Sequence, residues 1–409
     1  MIALFAMIAF VTNLCSPMAI IVKNDFGASN VLAQIGNYGN FIAYLVMGIP
    51  AGMIIAKIGY KKTALLGLVI GIIGILIQWA SGHVGKEYAF AIYLIGAFIS
   101  GFTMCILNCV VNPMLNLLGG GGNKGNQLIQ IGGVFNSTAA VCVYILMGAL
   151  IGDAAKAHIA DATPALMIAL AIFVIAFIVI SFTKIDEPEQ APVDTSLIKG
   201  ALSFRHFKLG ILGIFLYMGI EVGVPTYILQ FLTSEQGGSM AASTVGLIVA
   251  VYWLMMLVGR FIGGAIGGAV SSRTQITIVS TLTIVLVLFG MFAPESMQVN
   301  VPAIDWATLT VTSESVPVGI FAFLLVGLCT SVMWGGIFNM AVEGLGKYTA
   351  IASGIFMTMV FGCAVMVAIQ GWVADLTGSY MTSYWVVVFC AAYLLFYALV
   401  GSRVSKREE

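Results

Sequence analysis

The chain has 409 residues, of which 60% are hydrophobic and 8% charged, with a formal net charge of zero and a mean hydropathy of +1.06. A soluble domain carries about a quarter charged residues, so a soluble globular protein is excluded, and the balanced charge excludes a nucleic-acid partner. The apolar runs are long enough for membrane-crossing helices of about 20 residues and lack the alternation of barrel strands.

In chain order the runs predict twelve spans, at 2–22, 31–56, 62–80, 89–118, 126–152, 164–183, 207–232, 244–268, 274–293, 317–342, 349–373 and 382–402. The first starts without a basic leader or a small-residue cleavage site and reads as a mature span, not a signal peptide. It carries Asn13 and Ser16. The second carries Asn37 and Asn40, three apart and therefore on one face; Asn108 and Asn112 in the fourth share a face at a spacing of four. Gln130 and Asn136 follow in the fifth.

A stretch rich in proline and acid, 184–205, then divides the chain six plus six. The predicted units are an N-terminal six-helix bundle (1–183), a cytoplasmic linker (184–206) and a C-terminal six-helix bundle (207–409). With both termini inside, the inner loops and span ends hold fourteen Lys and Arg residues, Arg260 among them, against three outside (Lys23, Lys86, Lys156). That bias fixes an even span count with both termini cytoplasmic. Another irregular stretch, 294–315, reads as a longer outside loop.

Glu221 lies near the middle of the seventh span. A mid-bilayer charge costs about 3 kcal/mol on insertion scales, so such a group normally faces a partner or a wet cavity. The readings are substrate binding or ion coupling on one side, and a neutral carboxyl locked for packing on the other. Pro225, four residues on, removes an amide donor and predicts a kink or break beside it. Asn and Gln side chains suit sugar hydroxyls, which both donate and accept; their commoner alternative use is interhelical bonding. Tyr217, Tyr227, Tyr252, Trp253 and Trp334 are aromatic candidates for an apolar sugar face, with Tyr217 favoured four residues before Glu221 and Trp334 deep in the tenth span.

Other features carry less. All seven cysteines fall in apolar runs without metal-ligand spacing, the three histidines fall in loops, and the glycines at 119–122 lack a nucleotide-loop context. Gly259, Gly263, Gly264, Gly267 and Gly268 predict close helix packing. Glu343, at the inner end of its span, is expected to pair with Arg260, Arg273 or Lys347.

The run GMIIAKIGYKK (52–62) resembles the loop motif of the major facilitator superfamily, with Ala56 in place of its acidic residue. Within that superfamily the chain is similar to the fucose–galactose–glucose:proton symporter family, through NPMLNLLG (112–119), FNS (135–137), YMGIEVGVPTYI (217–228), YWLMMLVGRFIG (252–263), SVMWGGIFNMAVEGLG (331–346) and QGWVAD (370–375). The resemblance implies an all-α fold of two six-helix bundles and symport of a monosaccharide. Two departures stand out. Relatives carry an Asp where this chain reads Asn13, Leu14, Cys15, Ser16, and a Glu where it has Asn108.

The expectation is therefore a monomeric plasma (inner) membrane transporter, not an enzyme, importing a hexose or deoxyhexose by alternating access. No cofactor is expected beyond a co-transported cation, a proton or sodium. Its site is expected to be formed by Asn13, Ser16, Asn37, Asn40, Asn108, Asn112, Gln130, Asn136, Tyr217, Glu221 and Trp334, with Glu221 as the coupling group. An uncoupled facilitator and a non-transporting nutrient sensor are the alternatives.

Overall fold

The structure is a computed structural model that describes residues 1–11, 30–151, 158–185, 187, 196–240, 242–294, 296–305 and 310–404. The first half holds α1 (Ile2–Val11), α2 (Asn30–Ile58), α3 (Tyr60–Ser81), α4 (Lys86–Leu118), α5 (Gly122–Ile151) and α6 (Thr163–Phe182). A short α7 (Ser196–Ala201) precedes the second half, which opens with α8 (Arg205–Thr233), α9 (Ala242–Ile266) and α10 (Ser272–Phe292). After these come α11 (Val318–Val342), α12 (Thr349–Thr358), α13 (Gly362–Thr377), α14 (Tyr380–Ser383) and α15 (Trp385–Phe396). Among the described residues ten segments are long and apolar enough to cross a membrane, with α12 and α13 counted as one and α14 to Gly401 as another. α1 and α5 bring the order to the predicted twelve.

Small residues let these helices approach closely, as expected where lipid supplies no hydrophobic drive between them. On α3 and α4, Gly74 faces Ser100 and Gly96 faces Gln78 so tightly that a Cβ on either would collide. The Gln78 amide donates to Ser100 Oγ across the same seam at 2.8 Å. In the second half Tyr384 stacks on Phe323 with ring centroids 4.0 Å apart and donates to the Val224 carbonyl at 3.0 Å.

The linker is anchored to the first half. The Glu187 carboxylate accepts from the amides of Tyr60 (2.9 Å) and Lys61 (2.8 Å), satisfying orphan donors at the positive end of α3. Lys61 Nζ in turn donates to the carbonyls of Ser181 and Thr183 at the end of α6. The segment read as an irregular loop contains a two-stranded antiparallel hairpin, β1 (Gln298–Asp305) with β2 (Thr310–Pro317).

The two halves meet along three seams. Gly48 and Gly52 of α2 lie against Gly354 and its neighbours on α12, α5 lies along α9, and α4 meets α12 and bonds to α11 through Asn112–Trp334 and Asn116–Asn339. The cross-bundle hydrogen bonds seen among the described residues involve α4 from Cys109 on, α5 from Gln127 to Ser137, and Arg260 and Gly264 of α9. Given the alternation of the helices, these positions crowd toward the face that carries the linker. The bundles are shut on that face.

Candidate functional site

Glu221 sits on α8 in an unbroken helix. Of the expected kink or break at Pro225, the break does not occur, since the helix runs continuously over Arg205–Thr233. The carbonyl deprived of its amide partner by the proline ring is that of Glu221, and the Tyr252 hydroxyl donates to it at 3.1 Å. A side chain of α9 thus repairs the helix at its weakest turn. The same hydroxyl lies 3.2 Å from Thr330 Oγ1, joining α8, α9 and α11 around one atom.

The Glu221 carboxylate has a partner that the sequence reading assigned to the inner membrane edge. Arg260 Nη2 stands 4.0 Å from Glu221 Oε1, with side chains 10% and 14% exposed respectively. Arg260 Nη1 lies within bonding distance of three oxygens on α5: the Gly133 carbonyl (2.9 Å), Asn136 Oδ1 (3.1 Å) and Ser137 Oγ (2.6 Å). Gly133 leaves room for the arginine stem, since a Cβ would come 3.1 Å from Arg260 Cδ and the stem would have to give by a few tenths of an ångström. The expected grouping of Arg260 with Glu343 is therefore replaced by one with Glu221. Arg273, the second expected partner of Glu343, donates to Ser402.

Beside this pair runs a chain of neutral polar groups. Asn108 Nδ2 donates to the Tyr44 hydroxyl at 2.8 Å, and Asn112 Nδ2 donates to Asn108 Oδ1 at 3.3 Å. Asn112 Oδ1 then accepts from Trp334 Nε1 at 3.0 Å, across the bundle boundary. Trp334 packs edge-on against Tyr217 at 6.3 Å between centroids, and Tyr217 returns to the face of Glu221. Asn108, Asn112, Trp334, Tyr217, Glu221 and Asn136 are thus linked in one connected set, the last through Arg260. Asn136 also donates to the Phe5 carbonyl at 2.9 Å, which ties α1 to the same place.

Gln130 lies elsewhere. It is buried in the shut seam, donating to the Val332 carbonyl at 3.0 Å. There it joins Gln127, which donates to the Gly264 carbonyl, and Asn116, whose amide donates to Asn339 Oδ1 at 2.8 Å. Asn13 and Ser16 lie outside the described residues, and of Asn37 and Asn40 only the helical backbone of α2 is described.

Arg260 and Ser137 are the members that sequence reasoning missed, while Tyr252, expected as an aromatic for the sugar face, instead bonds the backbone at Glu221. Arg260 lies six residues inside the end of α9, close enough to the edge to be read as a cation whose long stem reaches headgroups. The available signal was direction: helical side chains tilt toward the N-terminus, which on α9 points back into the membrane.

Residues 1–368 match the family model of the Major Facilitator Superfamily. The chain is 29% identical over 409 residues to a glucose/galactose transporter of Brucella abortus, covering 98% of this chain and 92% of that one. It is 19% identical over 430 residues to the L-fucose-proton symporter of Escherichia coli, covering 98% and 92%. Its structure is similar to that of FucP, a transporter of the same superfamily crystallised in the outward conformation, with a TM-score of 0.80, 20% identity, and coverage of 98% of this chain and 99% of that one. The chain belongs to the Major Facilitator Superfamily, a family of membrane transporters and not of enzymes.

Proposed function

We propose that the protein imports a monosaccharide, a hexose or deoxyhexose, by cation symport with alternating access. The observation that carries the reading is the largely buried Glu221–Arg260 pair at the bundle boundary, flanked by the amide and indole chain Asn108–Asn112–Trp334. Sugar hydroxyls need such paired donors and acceptors, and an unmet one in a dry site costs about 1–3 kcal/mol, enough to separate epimers. The names of the Brucella and Escherichia relatives support a sugar as substrate. In this reading the halves 1–183 and 207–409 rock against each other and the linker side is cytoplasmic.

Arg260 also bears on the coupling ion. A second cation held at Glu221 would meet a guanidinium charge at about 4 Å, a repulsion on the order of 4 kcal/mol at an effective dielectric near 20. Protonation forfeits an attraction of the same size, because it removes the carboxylate charge, but unlike a metal ion it needs no shell of several oxygen ligands beside the arginine. The name of the Escherichia relative, a proton symporter, supports the proton over sodium. The amide at Asn108, where relatives carry a carboxylate, favours the second reading, an uncoupled facilitator.

The test is uptake of labelled hexoses and deoxyhexoses into proteoliposomes, with proton and sodium gradients imposed separately. Uphill uptake with an inward proton gradient alone is expected. Equal uptake without any gradient supports the facilitator, and no uptake of any monosaccharide refutes the sugar assignment.

A further inference from the structure

We propose that Arg260 is a charge-operated latch between the bundles: its guanidinium holds α9 to α5 and keeps the linker side shut, and Glu221 is the counter-ion that keeps it seated. The inference rests on the transporter reading, since it treats closure of one side as a step of alternating access.

The geometry divides the guanidinium between the halves. Nη1 donates to α5, through the Gly133 carbonyl, Asn136 Oδ1 and Ser137 Oγ, while Nη2 faces Glu221 in its own bundle. Among the described residues the other cross-bundle bonds, such as those of Asn116, Gln127, Gln130 and Trp334, join neutral groups. Arg260 is the charged link, and charge-assisted bonds are about twice as strong as neutral ones. The arginine stem crosses bare backbone at Gly133, so α5 and α9 must stay adjacent for the bonds to persist.

Guanidinium is a donor that never loses its charge near neutrality, so the latch cannot be released by titrating Arg260 itself. The ionisable groups facing the pair are Tyr217 of α8, Tyr252 of α9 and Cys363 of α13. These phenols and this thiol are uncharged at neutral pH. Glu221 is left as the group whose charge can change. Once a proton neutralises it, the guanidinium stays in a dry seam without a counter-charge, a state that admission of water relieves. Parting of α5 from α9 on the linker side admits that water.

The experiment places spin labels, carried by unnatural amino acids, at Lys124 on α5 and Ala269 just beyond α9, both exposed at the shut face. Distances are measured on the full chain in lipid nanodiscs, without sugar, at neutral and at acidic pH. The parent protein is expected to give mainly the short distance at neutral pH and to gain the long one on acidification. Arg260→Gln is expected to raise the long-distance population by about tenfold or more, the effect of losing one hydrogen bond to a charged group. Ser137→Ala should give a smaller shift in the same direction. Glu221→Gln should be shifted at neutral pH and lose the acid response. If Arg260→Gln does not fold, the other two variants decide. An unshifted distribution in Glu221→Gln, or an acid response that survives in it, overturns the latch. Hexose uptake on the same preparations separates the two readings: intact uptake with unmoved distances sinks the latch alone, and moved distances without any uptake sink the sugar assignment alone.

Discussion

Arg260 and Glu221 face each other from consecutive, oppositely directed helices, with their charged ends 4.0 Å apart. Side chains tilt toward the N-terminus of their own helix. On α9 that tilt carries Arg260 away from the linker side, and on α8 it carries Glu221 toward it. The two meet at a level that neither Cα occupies. Because Arg260 continues to α5, the pair reaches across the bundle boundary.

Glu221→Gln is expected to abolish uphill sugar accumulation in proteoliposomes while leaving exchange of labelled for unlabelled sugar. The amide keeps size and hydrogen bonding but has no proton to gain or release. Gradient-driven accumulation at the parent level would remove Glu221 from the coupling role.

Stability should show the pair as a unit. Removing one member leaves a buried charge unpaired, at a cost of about 3–5 kcal/mol, whereas removing both avoids that penalty. Thermal unfolding in detergent should therefore place Glu221→Gln and Arg260→Gln each well below the parent, with the double variant above the sum of the two losses. Strict additivity would mean the charges do not interact.

Tyr252→Phe should destabilise by about 1–3 kcal/mol, since it strands the carbonyl of Glu221 that Pro225 has already deprived of an amide. Pro225→Ala returns that amide. In the background of Tyr252→Phe it should recover part of the loss, measured as a partial return of the melting temperature. No recovery would show that the hydroxyl acts mainly through Thr330.

Trp334→Phe keeps the ring but removes the Nε1 donor from Asn112 Oδ1. If the indole–amide bond organises the sugar site, hexose affinity measured calorimetrically should fall by roughly 5- to 100-fold, the span of an unmet buried acceptor. An unchanged affinity would place Asn112 and Trp334 in the seam and not in the site.

Gly48 and Gly354 allow α2 and α12 to touch through backbone, and a Cβ on Gly48 would collide with Thr358. Gly48→Val is expected to hold the linker side apart. Cross-linking yield between cysteines placed on α2 and α12 at that end should drop at least severalfold, consistent with overpacking costs of about 1–3 kcal/mol. Parent-level cross-linking would show that the seam can yield.

Run length, hydropathy and the rarity of charge in apolar stretches, all one-dimensional quantities, were enough for the membrane class and the twelve spans and for singling out Glu221 as a candidate. Asn112, Asn136 and Trp334 were legible too, as polar or ring-bearing residues inside spans. Packing alone put Gln130 in the shut seam, set Tyr252 against the helix at Pro225 and turned Arg260 inward to Glu221. Those outcomes depend on which helix faces which and at what height. Distance along the chain does not encode that relation when partners such as Arg260 and Ser137 are 123 residues apart.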